Sequence, residues 1–499
     1  MPMNSTNTEQ FDVIVAGGGP GGSSAAALIA KSGHRVLLLE SERFPRYQIG
    51  ESLLPSTIHG VCRLTGAADP VAAADFTRKL GGTFRWGSNP EPWTFSFSVS
   101  PKIAGPTSYA YQVERMRFDQ ILLDNARRAG AEVRERCSVT GVFDEDGRAR
   151  GVWYTDAGGA ARQVRAKYVV DASGHKSRIY RSVGGTRVYS DFFRNLALFG
   201  YFENGKRLPA PNSGNILSAA FDSGWFWYIP LSPTMTSVGA VVNRDLASKV
   251  QGDPEKMLHA LIGECPLIAD YLADARRITV GEYGKVRVRK DYSYRHTTFW
   301  RPGLVLIGDA ACFVDPVFSS GVHLATYSAL LAARSINSVL AGSVEEEAAF
   351  QEFEARYRRE FGVFYEFLVS FYEMNVNEES YFWKARKVTN SNYSELQAFV
   401  ELVGGLASGE FDFSKGEALA QRFGAESREL GQAIDRQLAS GAADRVVPMF
   451  KSAIVRKTMQ ESAQVQARAQ LGAAFESEVP IFAGGLVSSP DGLSWVRPA

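Results

Sequence analysis

Residues Phe11 to Glu40, FDVIVAGGGPGGSSAAALIAKSGHRVLLLE, decide the fold of this chain. Phe11–Ala16 is a short apolar run that ends in glycines, a pattern typical of a buried parallel strand. The alanine-rich stretch after the glycines predicts a helix up to about Ser32, and Arg35–Glu40 predicts a second buried strand. The order strand, glycine turn, helix and strand predicts a βαβ unit.

The turn between that strand and helix carries a nucleotide-binding pattern. It contains Gly17, Gly19 and Gly22 in the spacing GxGxxG, with Pro20 at the helix start, and Glu40 closes the second strand. These glycines let the backbone approach a pyrophosphate at the positive end of the helix dipole, and the carboxylate can accept hydrogen bonds from ribose hydroxyls. A tight turn without a ligand is the alternative, but the order of strand, helix and acidic residue favours a dinucleotide site.

Two distant segments indicate which dinucleotide is bound. Gly303–Asp309, GLVLIGD, predicts a strand that ends in Gly-Asp, and Arg115 opens a predicted helix. Both resemble the flavin monooxygenase family, in which the aspartate bonds the ribityl chain and the arginine lies near FAD. The resemblance implies an α/β (mixed α+β) fold: a Rossmann-like FAD-binding domain of the para-hydroxybenzoate hydroxylase type, with an inserted antiparallel sheet and a C-terminal helical region.

Composition limits the partners of the protein. The 499 residues carry 55 basic and 54 acidic side chains, a formal net charge of +1, so nothing favours nucleic acid or an anionic membrane. The chain starts with a polar stretch, and no apolar run reaches the roughly 20 residues of a membrane span. The 4 cysteines and 6 histidines show no metal-ligand spacing. We therefore expect a cytoplasmic protein without a metal site.

Changes of pattern along the chain predict a discontinuous organisation. Residues 1–343 are expected to form the cofactor-binding core. An antiparallel sheet on the substrate side is expected to interrupt it at about 76–110 and 190–290, where aromatic and β-branched residues alternate between turn signals. Residues 344–499 are almost wholly helical in pattern and are expected to contribute to the substrate side.

The segment Gly224–Pro230, GWFWYIP, contains two tryptophans two residues apart. On a strand, Trp225 and Trp227 point to the same face. Together with Ile229 and Pro230 they match the WxWxIP signature of flavin-dependent halogenases. The resemblance implies that the indoles separate the flavin from the substrate, which otherwise would be hydroxylated directly. Core packing of two tryptophans is the alternative.

Lys79, in the segment KLGGTFRWG, matches the essential lysine of the same halogenases. The chemistry needs an amine because hypochlorous acid must be held, polarised or converted to a chloramine before it chlorinates a ring. A lysine in an apolar pocket can lose its proton or donate a hydrogen bond to the oxidant. A lysine beside Arg78 is otherwise most often a solvated surface charge.

The segment Asp315–Ala325, DPVFSSGVHLA, predicts a loop of small residues that opens a helix. Free backbone N–H groups at such a helix start form an anion site. In the halogenases that the chain resembles, chloride binds at the positions of Ser320 and Gly321, and Gly321 also lies at the flavin. Helix capping by Ser319 or Ser320 is the structural alternative. His323 is expected to pack inside the helix.

The segment Asp171-Ala172-Ser173-Gly174 departs from the aromatic hydroxylases, which have an Asp-Gly pair associated with NADPH in this region. The departure predicts no resident pyridine-nucleotide site. A separate flavin reductase is therefore expected to deliver FADH2.

Four segments resemble the halogenases of vancomycin- and teicoplanin-type glycopeptide antibiotic biosynthesis; they are Phe44–Pro55, Gly308–Ala325, Phe364–Trp383 and Gly484–Trp495. The first contains Arg46, Ile49 and Glu51, which the resemblance places at FAD. It further implies a phenolic substrate of the tyrosine or β-hydroxytyrosine type on a peptidyl carrier protein, chlorinated ortho to the hydroxyl. Phe318 stands where the free-tryptophan halogenases have a glutamate, which is compatible with a phenol that activates its own ring.

The resemblance implies that FADH2, oxygen and chloride yield hypochlorous acid through a flavin hydroperoxide, and that Lys79 directs the acid to the ring. An NADPH-dependent aromatic hydroxylase on the same fold is the main alternative. A flavin-binding protein that serves as an assembly partner of a synthetase is a third.

Overall fold

The structure is a computed structural model that describes residues 9–86, 91–103, 105–373, 395–407 and 480–498. The polar stretch 384–393, and most of the C-terminal region predicted to be helical, lie outside these residues.

A mostly parallel sheet forms the centre of the cofactor-binding region. Its middle strand, β1, is the apolar run predicted from the sequence, and it pairs in parallel with β10 on one side and β2 on the other. The order is β17-β18-β10-β1-β2-β7, with β8 and β9 continuing from β10 as an antiparallel extension. These strands are β1 (Gln10–Ala16), β2 (Val36–Leu39), β7 (Glu132–Arg134), β8 (Ser138–Glu145), β9 (Arg148–Thr155), β10 (Ala161–Asp171), β17 (Trp300–Arg301) and β18 (Leu304–Leu306).

A second, nine-stranded sheet lies beside it, in the order β19-β16-β11-β14-β13-β12-β4-β5, with β15 beside β11. The strands are β4 (Gly81–Arg85), β5 (Trp93–Ser96), β11 (Arg187–Glu203), β12 (Ile216–Phe221), β13 (Gly224–Pro230), β14 (Met235–Asn243), β15 (Arg276–Arg277), β16 (Arg287–His296) and β19 (Cys312–Phe313). One pairing differs from the antiparallel prediction, because β4 and β12 run parallel. More than a hundred residues separate them in the chain, so no hairpin imposes an antiparallel pairing.

Two small ribbons complete the described strands. Strands β3 (Thr77–Lys79) and β6 (Ala110–Gln112) form one antiparallel pair. Strands β20 (Val487–Ser488) and β21 (Trp495–Val496) form the other, near the C-terminus.

Helices cover the parallel sheet and close the second sheet. The α-helices of the described residues are α1 (Pro20–Lys31), α2 (Cys62–Thr65), α3 (Ala68–Ala72), α4 (Arg115–Arg128), α5 (Pro254–Glu264), α6 (Pro266–Tyr271), α7 (Gly321–Leu340), α8 (Glu346–Glu373) and α9 (Glu395–Val403). The helix predicted to follow the loop of small residues is confirmed, and it begins at Gly321. One apolar face of α8 is buried through Phe364, Phe367 and Phe371.

None of the helices within the described ranges has the length and apolar character of a membrane span. The same residues contain no cluster of three or more histidine, cysteine, aspartate or glutamate side chains that could hold a metal ion.

Candidate active site

The predicted nucleotide turn has the close backbone packing that its glycines allow. Gly17 has a φ of +104°, and a Cβ there would lie 2.6 Å from the carbonyl oxygen of Ala172. A Cβ on Gly22 would lie 1.9 Å from the carbonyl oxygen of Gly17. Pro20 is the first residue of α1, and Gly19 is its N-cap without a side-chain hydrogen bond. The amides of this helix start are thus left for an anion.

Glu40 lies beside that turn at the end of β2. Its Oε2 accepts a hydrogen bond of 2.6 Å from the Gly18 amide, and its Oε1 accepts one of 2.7 Å from the Glu42 amide. A carboxylate has about four lone-pair sites, so it keeps acceptor capacity for ribose hydroxyls. The fold thus places Glu40 against the predicted nucleotide turn, as the sequence predicts.

Arg46 and Arg115 are joined through a carboxylate that sequence reasoning did not single out. Asp119 accepts a hydrogen bond of 2.7 Å from Arg46 Nη1 and one of 2.7 Å from Arg115 Nε. Arg115 also donates from Nη1 to the carbonyl oxygen of Ile49 at 2.6 Å. Because Arg46 Nη2 lies 3.5 Å from a Cβ placed on Gly19, this network reaches the helix start where a pyrophosphate would bind.

Glu51 is a buried carboxyl whose two oxygens differ in their hydrogen bonding. Its Oε1 accepts a hydrogen bond of 2.8 Å from the Tyr201 hydroxyl, whereas Oε2 is buried and has no partner among the described residues. Burial raises the pKa of Glu51 to about 7, against the opposing effects of hydrogen bonds and Arg115. An unpaired buried oxygen is costly unless a ligand satisfies it. Glu51 therefore fits a polar cofactor.

Asp309 follows β18, where the resemblance placed a ribityl contact. Burial raises its pKa to about 6, and the charges of Arg115, Arg187 and Arg289 oppose this shift. Its neighbour Gly308 has a φ of +55° and donates its amide to Ser328 Oγ at 2.9 Å. The carboxylate thus lies at the carboxyl end of the parallel sheet, where ligands of open α/β sheets bind. With the turn, the arginines and Glu51, it makes a set of groups that fits FAD.

Trp225 and Trp227 lie on one face of β13, as the strand period predicts. Their exposed fractions are 2% and 6%, and their ring centroids are 6.2 Å apart. Trp227 Nε1 donates to Ser237 Oγ at 3.1 Å, whereas Trp225 Nε1 is buried and finds no partner in the part of the chain that the structure describes. Ile229 continues this face, and Pro230 ends the strand opposite Thr236.

The tryptophan face is continuous with the predicted halide loop. Trp227, Ser218 and Phe84 lie in register across β13, β12 and β4, so their side chains share a face. The Phe84 ring lies 5.9 Å from that of Phe318. Ser218 Oγ is fully buried without a hydrogen-bond partner, a feature that no motif in the sequence signals.

Lys79 is the last residue of β3, and its side chain is 3% exposed. Its Nζ donates to Ser52 Oγ at 2.9 Å and to the carbonyl oxygen of Leu53 at 3.1 Å, and it lies 5.7 Å from the centre of the Phe97 ring. Burial lowers the pKa of Lys79 to about 7, because water no longer solvates the ammonium. The alternative of a solvated surface lysine is wrong.

Two neighbours hold the acceptors of Lys79 in place. The amide of Leu53 donates to the carbonyl oxygen of Tyr111 at 2.9 Å, and Ser52 forms an antiparallel bridge with Gln112. Strand β6 also pairs with β3, the strand that carries Lys79. The lysine and its two acceptors are therefore both held against β6.

The predicted halide loop leaves donors unused. Ser319 has a φ of +62°, and Ser320 is the N-cap of α7 without a side-chain cap hydrogen bond. The Ser320 hydroxyl therefore does not cap the helix. Its Oγ is fully buried and has no hydrogen-bond partner within the described ranges. A Cβ on Gly321 would meet nothing within 4 Å, so space is open there. A free hydroxyl and free amides at the start of a 20-residue helix fit a halide ion.

The described neighbours of Phe318 include a cluster of aromatic rings. Its ring centroid is 5.1 Å from that of Phe367, 4.8 Å from that of Phe371 and 6.2 Å from that of Phe399. This side of the site is therefore apolar. Asp315, which anchors the loop, accepts hydrogen bonds from Asn195 and from the Tyr372 hydroxyl, both at 3.0 Å.

His323 is fully buried in α7, as expected of a packing residue, and its ring is stacked 5.8 Å from that of Tyr327. Both its ring nitrogens form hydrogen bonds to buried side chains, those of Ser56 and Glu360. Neither partner was singled out from the sequence, because they lie 267 and 37 residues from the histidine and share no motif with it.

Comparison with known proteins defines the class of the enzyme. The chain matches the family model described as tryptophan halogenase over residues 12–105 and 100–430. The myxobacterial chondrochloren halogenase CndH, described as a new variant of FAD-dependent halogenases, has a similar structure with a TM-score of 0.74 and 50% identity, covering 98% of this chain and 100% of that chain. The flavin-dependent halogenase CmlS gives a TM-score of 0.71 at 29% identity, covering 99% and 84%.

A tryptophan 2-halogenase of Chondromyces crocatus is 34% identical over 390 residues, which span 78% of this chain and 72% of that protein. This chain belongs to the flavin-dependent halogenases of the tryptophan halogenase family. The predictions of an FAD-binding α/β fold, of halogenase activity, of FAD as cofactor and of chloride as co-substrate are thereby confirmed. Enzymes of this family typically depend on a separate flavin reductase.

Proposed function

We propose that this halogenase chlorinates a phenolic ring of the tyrosine or β-hydroxytyrosine type ortho to its hydroxyl, on a substrate carried by a peptidyl carrier protein in nonribosomal glycopeptide biosynthesis. The four sequence segments that resemble the glycopeptide-pathway halogenases support this substrate. The apolar surroundings of Phe318 support it as well, since a phenol activates its own ring and needs no neighbouring carboxylate.

Residues of this chain divide the binding of FAD among them. The amides at the start of α1 and Arg46 would hold the pyrophosphate, with Arg115 joined to Arg46 through Asp119, while Glu40 would accept from ribose hydroxyls. Asp309 would bind the ribityl chain. Groups at Ile49 and Glu51, with the Gly321 amide, would hold the ring end. When bound and reduced, FAD would supply the oxygen activation that converts chloride to hypochlorous acid.

The remaining residues separate and direct that oxidant. Ser320 and Gly321 bind chloride through a free hydroxyl and free amides. Trp225 and Trp227 keep the aromatic substrate away from the flavin, so that the ring meets only the small oxidant. The Lys79 amine attacks the chlorine of hypochlorous acid, so that an N–Cl bond forms, the Cl–O bond breaks and water leaves. The chlorine then passes to the ring carbon as the N–Cl bond breaks, and the proton that the ring loses restores the amine.

The observation that carries the proposal is the buried Lys79 amine, whose pKa burial lowers to about 7. A large share of the side chain is therefore an uncharged amine at neutral pH, and the free electron pair of an amine attacks the chlorine of hypochlorous acid. An exposed lysine would be almost fully protonated under the same conditions.

Replacement of Lys79 by alanine tests the assigned role. Lys79→Ala is expected to oxidise FADH2 in the presence of chloride at close to the wild-type rate and to yield no chlorinated product by mass spectrometry. Arg78→Ala, which removes the neighbouring charge on the same strand, is the matched control and should keep chlorination. Chlorinated product from Lys79→Ala contradicts the proposal.

The substrate is tested by mass spectrometry with FADH2 supplied and chloride present or omitted. Tyrosine and β-hydroxytyrosine loaded on a peptidyl carrier protein are compared with free tyrosine and free tryptophan. We expect a mass increase of one chlorine for the carrier-bound phenols alone. Preferential chlorination of free tryptophan, the substrate in the name of the Chondromyces crocatus relative, would overturn the substrate proposal while leaving the halogenase assignment intact.

A further inference from the structure

Three buried polar side chains outside the proposed chemistry form one hydrogen-bonded chain. Ser56 Oγ lies 2.9 Å from His323 Nδ1, and His323 Nε2 lies 2.6 Å from Glu360 Oε1. The exposed fractions are 0% for Ser56 and His323 and 1% for Glu360. The serine opens the π-helical turn Ser56–Val61, the histidine lies in the first turn of α7 and the glutamate lies in α8.

Burying such groups is expensive unless their geometry is fixed. A carboxylate and an imidazole lose their hydration in the interior, and their attraction repays this only when the hydrogen bonds are well formed. Apolar side chains of similar volume often stabilise a core as well or better. A role in fixing the positions of the segments explains the presence of these groups better than a role in stability.

Two members of this hydrogen-bonded unit, His323 and Ser56, lie close in sequence to the two proposed reaction centres. His323 follows the proposed halide residues Ser320 and Gly321 by one helical turn or less. Ser56 follows Leu53, whose carbonyl oxygen accepts a hydrogen bond from Lys79, by three residues. One hydrogen-bonded unit therefore links the start of α7 to the segment that holds the lysine.

The loop after α9 closes on the same unit. Gly405 has a φ of +75°, and a Cβ there would lie 2.2 Å from Ser56 Oγ and 2.9 Å from His323 Nδ1. The amide of Ser56 donates to the carbonyl oxygen of Gly404 at 3.3 Å. Only a residue without a side chain allows this close approach, so the contact is specific to the backbone conformation at Gly405.

We propose that His323 is a positioning residue, held by Glu360, that keeps the Ser52–Ser56 segment and its lysine aligned with the halide-binding start of α7. This inference rests on the proposed function. Alignment allows hypochlorous acid to pass from where it forms to Lys79. Misalignment leaves formation of the oxidant intact and lets it escape, so oxidation and chlorination become uncoupled.

The experiment compares Ser56→Ala, Glu360→Leu and Glu360→Gln. Three quantities are measured: the dissociation constant of FAD by flavin fluorescence, chlorinated product per FADH2 oxidised, and hypochlorous acid released to a small-molecule trap. We expect Ser56→Ala and Glu360→Leu to lower product per FADH2 about fivefold or more, with a matching rise in trapped oxidant and less than a twofold change in FAD affinity. Glu360→Gln keeps an acceptor for His323 Nε2 and should recover most of the coupling.

Ser335→Ala is the matched control. It removes a buried serine hydroxyl from the same helix, where it donates to the carbonyl oxygens of Leu331 and Ala349 and accepts from Trp495, about 18 Å along α7 from His323. Its coupling should equal that of the wild type.

Wild-type coupling in both Ser56→Ala and Glu360→Leu overturns the inference, and so does a loss of FAD binding in both, which would indicate a role in the cofactor site. If Glu360→Leu does not fold, Ser56→Ala and Glu360→Gln decide. Failure of the proposed function is seen separately, as chlorination by Lys79→Ala.

Discussion

At the scale of single residues, the fold changes the chemistry of Lys79 by removing it from water. The side chain has two hydrogen-bond acceptors and an aromatic ring around its nitrogen, and within the described residues no carboxylate forms a salt bridge with it. Desolvation therefore dominates, and it favours the uncharged amine. Three other predicted or neighbouring site residues, Glu51, Asp309 and Asp315, have raised pKa values for the same reason.

The pH dependence of chlorination follows from the Lys79 amine. Its pKa of about 7 means that the reactive, uncharged form is lost as the pH falls below 7. We expect chlorinated product per FADH2 to fall about tenfold per pH unit below pH 6, where the ammonium form dominates, and to level off above pH 8. Hypochlorous acid trapped at each pH serves as the control for oxidant supply. A yield that stays flat down to pH 5 would indicate that the ammonium acts instead, as a hydrogen-bond donor.

At the scale of secondary-structure elements, the alternation of β13 separates two cores. Trp225, Trp227 and Ile229 join the main core beside the cofactor region, whereas Phe226 and Tyr228 pack on the opposite face against α5 and α6. One face of the strand thus carries the proposed barrier between flavin and substrate, and the other face packs in an ordinary core. The same alternation provides a matched pair of substitutions.

Trp225→Leu should open the proposed barrier between substrate and flavin, whereas Phe226→Leu should leave it closed. Both lose an aromatic ring from a fully packed position, so both are expected to lower the free energy of unfolding, by about 1–3 kcal/mol. Only Trp225→Leu should let the substrate approach the flavin and yield a hydroxylated by-product, detected by mass spectrometry. Equal product ratios in the two variants would remove the barrier role.

The start of α1 gives a second prediction at this scale. Gly22→Ala places a methyl group 1.9 Å from the carbonyl oxygen of Gly17, so the helix must shift away from β1 and from the pyrophosphate position. We expect at least a tenfold loss of FAD affinity by fluorescence titration. Gly263→Ala in α5, where a Cβ meets nothing within 4 Å, should leave the affinity unchanged and stabilise the protein by about 0.5–1 kcal/mol. Unchanged affinity in Gly22→Ala would show that the turn is not the pyrophosphate site.

At the scale of the whole molecule, the parallel sheet places the nucleotide turn and Asp309 at one edge, while the second sheet carries the tryptophan face. The proposed halide loop contacts the second sheet, where Phe318 meets Phe84 on β4, and it leads into α7. Lys79 precedes β4 in the chain and is held by the segment that also contains Glu51.

At the scale of the whole molecule, we also expect the enzyme to depend on a separate flavin reductase for its FADH2. The purified chain with FAD, NADPH, chloride and a carrier-bound phenol is expected to consume no NADPH and to form no product. Addition of a flavin reductase should restore chlorination in proportion to the FADH2 supplied. NADPH oxidation by the chain alone, followed at 340 nm, would instead indicate the hydroxylase alternative.

The sequence by itself determined those features whose signals are local. The apolar runs, the glycine spacing and the acidic residue at Glu40 were enough to predict the βαβ unit, and the period of β13 was enough to place two indoles on one face. Motif resemblance added FAD and the halogenase class, both of which the comparisons confirm.

Only the tertiary structure decided how strongly Lys79 is buried, that Ser52 and Leu53 hold it, and that His323 joins Ser56 to Glu360. These contacts are made between segments far apart in the chain, and hydrogen bonding and desolvation depend on distances in space. A residue pattern carries no record of such distances, which is why a lysine on a short strand and a histidine in a helix gave no local sign of their surroundings.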